Sequence, residues 1–137
     1  MLPTKSEAVL EKTPVSGVNE KVNRAVEIIN SGSQPPMAGI KLLREVLEED
    51  PKNEEALFYM GYFSVQSGQY DKAVVRFNEV LEVNPQRYEA RYLLGMSHLE
   101  LKDTIKALSY LEEVAKSEGK KELKESALRA INELNKL

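Results

Sequence analysis

From Val18 almost to the end of the chain, apolar residues recur at three- and four-residue spacing, and no alternating stretch competes with that rhythm. The pattern predicts seven antiparallel helices with short links and no strand. The first two, about Val18–Ser31 and Met37–Glu49, are joined by Gly32-Ser33-Gln34-Pro35-Pro36. Asn53 is a candidate N-cap, with Glu54 and Glu55 in the first turn, where the helix dipole favours carboxylates. That helix is expected to run to about Ser67 and to stop at Gly68, which tolerates the left-handed conformation of a C-cap. Asp71 stands just before or within the opening turn of the fourth helix, carried by Ala73, Val74, Phe77, Val80 and Leu81 and ended before Pro85. The next pair is placed at about Arg87–Leu101 and Asp103–Ser117, with Lys102-Asp103 where a glycine turn would serve. The last, Glu122–Leu137, sets Leu123, Leu128, Ile131 and Leu134 on one side. Residues 1–17, with Pro3, Pro14, Ser16 and Gly17 and few large apolar side chains, read as a flexible leader or linker, with at most a turn or two around Ser6–Lys12.

A longer period overlies the helical one. Pro51 and Pro85 stand 34 residues apart (85 − 51), and Glu55-Ala56-Leu57-Phe58-Tyr59-Met60-Gly61 returns as Glu89-Ala90-Arg91-Tyr92-Leu93-Leu94-Gly95. Lys72-Ala73 returns as Lys106-Ala107, Glu79-Val80 as Glu113-Val114, and Val46-Leu47-Glu48 precedes Val80-Leu81-Glu82 by the same step. A fixed period of this size marks a repeat architecture, in which one helical pair cannot bury its own apolar face and stacks on its neighbours.

These residues carry a resemblance to the tetratricopeptide-repeat family. Leu57, Gly61, Ala73, Phe77, Val80 and Pro85 match its pattern in residues 53–86, and Gly95, Ala107, Leu111 and Val114 match it in 87–119. In 18–52 only the second helix matches well, through Leu43, Val46 and Pro51, with Gly39 where alanine is usual. The resemblance implies an all-α fold of antiparallel helix-turn-helix repeats stacked in a right-handed superhelix, an α-solenoid. It implies about three repeats plus a C-terminal capping helix over 120–137, and covers residues 18–137 as one repeat domain. Gly61 and Gly95 would let helices approach closely, with Ala73 and Ala107 at the same crossing and Phe77 and Leu111 filling the gap between repeats. Leu57, Met60, Leu94, Ala73 and Ala107 are the expected core. Arg91 stands where Leu57 stood, so either its guanidinium snorkels or that spot is less buried. Where a third proline is due there is Gly119.

Composition narrows the chemistry. A net charge of −3 and a pI near 5.4 lack the basic stripe of a nucleic-acid binder. There is no cysteine and one histidine, His98, so neither thiolate chemistry nor a metal-ligand spacing is available. His98 reads as a packed core residue without a nucleophile or base partner, and the glycines form no phosphate-cradling loop. No catalytic, cofactor or metal site is expected. No stretch approaches a membrane span of about 20 apolar residues. The chain reads as soluble, cytoplasmic by default, with a periplasmic fragment beyond a membrane anchor as the alternative.

What the resemblance implies about function is a surface. First helices of each repeat line the inner side of the family's superhelix, which by position puts Arg24, Ile28, Glu55, Phe58, Tyr59, Tyr62 and Gln66 on a concave groove. Glu89, Tyr92, Met96, Leu99 and Glu100 continue it, with Val65 and Leu93 beside them. Tyrosine and methionine suit such a face, since they offer large contact area at little cost when unbound. Some family members clamp the C-terminal carboxylate of chaperones with basic first-helix residues. Here those places hold Arg24, Ile28, Tyr59, Glu89 and Leu93, and only Arg24 has the required charge. The expectation is a non-catalytic protein–protein interaction module holding a peptide or partner helix. The alternative is a structural, self-associating repeat protein, whose groove or stack ends meet another copy or whose leader (Leu2, Val9, Leu10) folds into its own groove.

Overall fold

The computed structural model describes residues 16–136. Among them lie seven helices and no strand: α1 (Ser16–Ser31), α2 (Pro36–Glu49), α3 (Glu54–Gln66), α4 (Tyr70–Val83), α5 (Tyr88–Glu100), α6 (Thr104–Lys116) and α7 (Lys121–Asn135). Helix α1 opens at Ser16, two residues ahead of the start expected from the apolar rhythm. The rest of the expected leader lies outside the described residues. The fold divides into two compact units between Ala56 and Leu57.

In the first unit α1 and α2 pack as a pair. Val18, Val22, Ala25 and Ile28 form the buried stripe of α1, and Ile40, Leu43 and Val46 that of α2. A methyl group on Gly39 would lie 2.9 Å from the Ala25 carbonyl oxygen and 3.0 Å from Ile29 Cγ1, so its bare backbone sets the helix separation. Pro36 occupies the first turn of α2, where its missing N–H removes no helical bond.

The second unit holds most of α3 and the helices α4 to α7. Its connections repeat in atomic detail. After α3 the Gly68 N–H donates to the Val65 carbonyl and the Gln69 N–H to the Ser64 carbonyl. After α5, one period later, Lys102 donates to Leu99 and Asp103 to His98. Both are left-handed C-terminal caps, with φ of 75° at Gly68 and 68° at Lys102. The expected N-cap forms, the Asn53 side-chain oxygen accepting from the Ala56 N–H at 2.9 Å, and Asp103 caps α6 in the same way, accepting from the Lys106 N–H at 3.1 Å.

Packing follows the period as well. A methyl group on Gly61 would come within 2.7 Å of Phe77 Cε1, and one on Gly95 within 3.2 Å of Leu111 Cγ. Phe77, Leu111, Ala73, Ala107, Leu57 and Leu94 are fully or almost fully buried, as expected of the core. Each large apolar side chain among them contributes about 1.5–3 kcal/mol by leaving water. Two expectations fail. Met60 is only half-buried, and Leu128 is 48% exposed. At about 100° per residue, Leu128 lies far round α7 from the stripe of Leu123, Ala127, Ala130, Ile131 and Leu134. Those five pack with Leu111 and Val114, so two alanines, rather than the leucine, aim the helix.

Candidate functional site

The residues expected on the groove divide into four environments. On α3, Phe58, Tyr59 and Tyr62 form one aromatic group. The Phe58 and Tyr59 rings meet edge-on at 5.4 Å, Tyr59 and Tyr62 edge-on at 6.1 Å, and Phe58 and Tyr62 lie nearly parallel at 6.5 Å. Phe58 also meets Phe77 at 5.8 Å and is 6% exposed, so it anchors the group from within rather than offering a surface. Tyr59 and Tyr62 are half-buried.

On α5, Tyr92 and Met96 are half-buried and pack against the cluster of Leu111, Val114 and Ala127. Part of each is therefore committed to holding α6 and α7. Leu99 is half-buried too, while Gln66 and Glu100 are exposed near the C-terminal ends of α3 and α5. In the first unit Arg24 is exposed and Ile28 is buried. Ile28 stands three residues after Ala25 on the inward stripe of α1, which leaves it little surface for a partner. Glu55 and Glu89 are exposed on the first turns of their helices.

One contact at this site has no signature in the 34-residue period. The Arg87 guanidinium lies over the Phe58 ring at 4.1 Å, a cation–π contact that ties the start of α5 to α3. Its Nε is 3.6 Å from a Glu89 carboxylate oxygen, and the Arg87 side chain is only 15% exposed. Arg87 stands 29 residues after Phe58 (87 − 58), so neither helical nor repeat spacing pairs them.

Arg91 resolves the open question at the place equivalent to Leu57. Its side chain is 21% exposed, with the guanidinium donating to the Pro85 carbonyl at 2.8 Å and lying 5.9 Å from the centre of the Tyr88 ring. Nε sits 3.4 Å from Glu113 but off the line of a hydrogen bond, so that contact is one of charge alone. The head turns toward Glu113 on α6.

His98 is buried and stacks on Tyr110 at 5.6 Å with the rings nearly parallel. Burial holds its imidazole below the ordinary value of 6.5. Asp103 opposes that shift and Lys106 adds to it. The ring behaves as a neutral packing residue. Among the described residues no three histidine, cysteine or carboxylate side chains gather as a metal site. No helix among them is long and apolar enough to cross a membrane.

Comparison with known proteins agrees with this fold. Residues 38–114, more than half of the chain, match the model of the family described as anaphase-promoting complex, cyclosome, subunit 3, a tetratricopeptide-type repeat. The chain belongs to this tetratricopeptide-repeat family. No curated protein matches it by sequence. Among solved structures, the tetratricopeptide-repeat domain of Sgt2 from Aspergillus fumigatus is 21% identical with a TM-score of 0.70, over 91% of this chain and 84% of that one. The CopN–Scc3 complex contains a chain 16% identical with a TM-score of 0.74, over 95% of this chain and 81% of the other. The RS-1 ArsTM double mutant of MamA is 28% identical with a TM-score of 0.64, over 72% of this chain. The present chain spans about half of that MamA chain (54%). The first two likenesses concern the fold alone.

Proposed function

We propose that this tetratricopeptide-repeat protein is a non-catalytic interaction module that holds a peptide or helix of a partner protein on its first-helix face. The observation that carries this reading is the aromatic group of α3. Tyr59 and Tyr62 stay half-exposed on a rigid base of Phe58, Phe77 and Arg87, although burying them fully would have stabilised the fold. Partly exposed tyrosines held in place by packing lose little side-chain entropy on binding, and such residues dominate the energetics of interfaces. The CopN–Scc3 structure, a complex of two proteins, includes a chain of this fold and supports a protein partner in general terms.

The groove residues then have distinct roles. Tyr59 and Tyr62 supply contact area, Glu55, Glu89, Gln66 and Glu100 form a polar rim, and Tyr92, Met96 and Leu99 offer the parts of their surfaces that packing leaves open. A photo-crosslinking amino acid at Tyr62 tests this in cells of the native organism. Crosslinks from position 62 to a distinct protein, with none from Asn78 on the exposed side of α4, are the expected result. Equal crosslinking from both positions would refute the assignment of the face. A second reading, self-association, is favoured by Ile105, which is 84% exposed on α6. Under it, a crosslinker at position 105 captures a second copy of the chain, and Ile105→Ser abolishes a concentration-dependent dimer in sedimentation.

A further inference from the structure

The charges around the aromatic group are sorted by depth. Helix α3 contains no lysine or arginine, and its ionisable acids are Glu54 and Glu55. Helix α5 contains one arginine, Arg91, and Arg87 precedes it. Both guanidiniums are drawn into the fold. Arg87 is 15% exposed over the Phe58 ring, and Arg91 is 21% exposed between the Pro85 carbonyl and Glu113. The carboxylates point the other way. Glu89, the partner of Arg87, is 52% exposed, and Glu55 and Glu100 are exposed. The second helices show no such bias, since α4 carries Lys72 and Arg76 and α6 carries Lys106 and Lys116 beside their acids. A solute approaching α3 and α5 meets exposed carboxylates and the open parts of the tyrosine rings, while both guanidiniums are mostly covered.

Accepting the first-helix face as the binding face, we propose that the segment it receives is basic: lysine or arginine residues alternating with apolar ones. Carboxylates at the rim would steer and pair with the cations, worth little each in water but acting together. The π-faces of Tyr59 and Tyr62 attract the same groups, so ring and carboxylate favour one ligand chemistry. Apolar side chains between the cations would fill the half-open surface beside Tyr92 and Met96. On α3 and α5 an acidic segment would have to displace Arg87 from Phe58 and Glu89, or Arg91 from Pro85 and Glu113, before finding a partner.

Two synthetic peptides of about 15 residues, identical except for lysine or glutamate between leucines at helical spacing, test the inference by fluorescence anisotropy on the full chain. The lysine peptide is expected to bind at least about tenfold more tightly and to weaken about tenfold between about 50 and 500 mM salt. Glu89→Gln with Glu100→Gln should weaken it, Tyr62→Ala should abolish it, and Glu112→Gln on α6 should leave it unchanged. Circular dichroism establishes that each variant is folded, and the glutamine pair carries the test if Tyr62→Ala is not. Equal or tighter binding of the glutamate peptide, lost with Tyr62→Ala, overturns the basic partner and leaves the face intact. Lysine-peptide binding that ignores Tyr62 and the glutamine pair but responds to Glu112→Gln overturns both. Binding of neither peptide, or a homodimer that excludes both, overturns the proposal.

Discussion

At the scale of single residues, the two helix-crossing glycines occupy equivalent places under unequal pressure. Replacing a helical glycine by alanine gains about 1 kcal/mol in helix propensity. At Gly95 the new methyl would stand 3.2 Å from Leu111 Cγ and 3.3 Å from Leu111 Cδ2 and Tyr110 Cβ, distances that a few tenths of an ångström of movement relieve. At Gly61 it would stand 2.7, 2.9 and 3.0 Å from three atoms of the Phe77 ring, which is fully buried and flanked by Phe58. An aromatic ring held in that way cannot bend aside, and overpacking costs about 1–3 kcal/mol. Gly95→Ala is therefore expected to change stability by less than about 1 kcal/mol, and Gly61→Ala to destabilise by up to about 2 kcal/mol net. Urea denaturation of the two variants measures the difference. Equal losses would show that the α3–α4 crossing relaxes as readily as the α5–α6 crossing. The sequence places both glycines correctly, because the repeat period marks the positions. It is silent on their inequality, which depends on whether the facing side chain is a flat ring or a branched aliphatic.

Helices and their connections were the most legible part of this chain. Asn53 announces the start of α3 and Gly68 its end, and the observed boundaries follow within a residue or two. Lys102 is the informative exception, since it adopts φ of 68° with the same two cap bonds that Gly68 makes. A side chain in the left-handed region costs about 1 kcal/mol, a cost glycine avoids. Lys102→Gly removes that strain but adds freedom to the unfolded chain, which takes back roughly 0.4–1 kcal/mol. The expected outcome is a small net change, stabilising by no more than about 0.5 kcal/mol, and the reverse exchange Gly68→Lys destabilises by a similarly small amount. Thermal unfolding of both variants reads the opposite signs. A loss at Lys102→Gly larger than about 0.5 kcal/mol would mean that the lysine side chain stabilises the turn by contacts of its own. Along the same helices, the aromatic face was legible in kind but not in depth. Tyr59 and Tyr62 keep open surface, while Phe58 and Ile28 turn inward because each continues a buried stripe. The Arg87–Phe58 contact follows no periodicity, so only the folded chain reveals it.

For the molecule as a whole, the question is how α7 is set against the helices before it. Each helical pair in such an architecture is stabilised mainly by its neighbours. Helix α7 meets them through Leu123, Ala127, Ala130, Ile131 and Leu134, which pack with Leu111 and Val114 beside Tyr92 and Met96. Reading its apolar residues alone put Leu128 in that stripe, and the choice between the two orientations hangs on adjacent positions. Ala127 is fully buried and Leu128 is 48% exposed. Ala127→Glu would force a carboxylate into the apolar cluster and is expected to cost about 3 kcal/mol or more, or to detach α7. Leu128→Glu, one residue on, should stay within about 0.5 kcal/mol. Denaturant midpoints, with hydrogen exchange over residues 121–135, separate a local release of α7 from global loss. If the costs came out reversed, α7 would be rotated so that Leu128 faces the cluster, and Tyr92 and Met96 would lose part of their cover. The orientation of this last helix therefore decides how much of α5 is open to a partner. For the same reason Tyr92→Ala alone is an ambiguous probe of binding, since it thins the contact that keeps α7 in place.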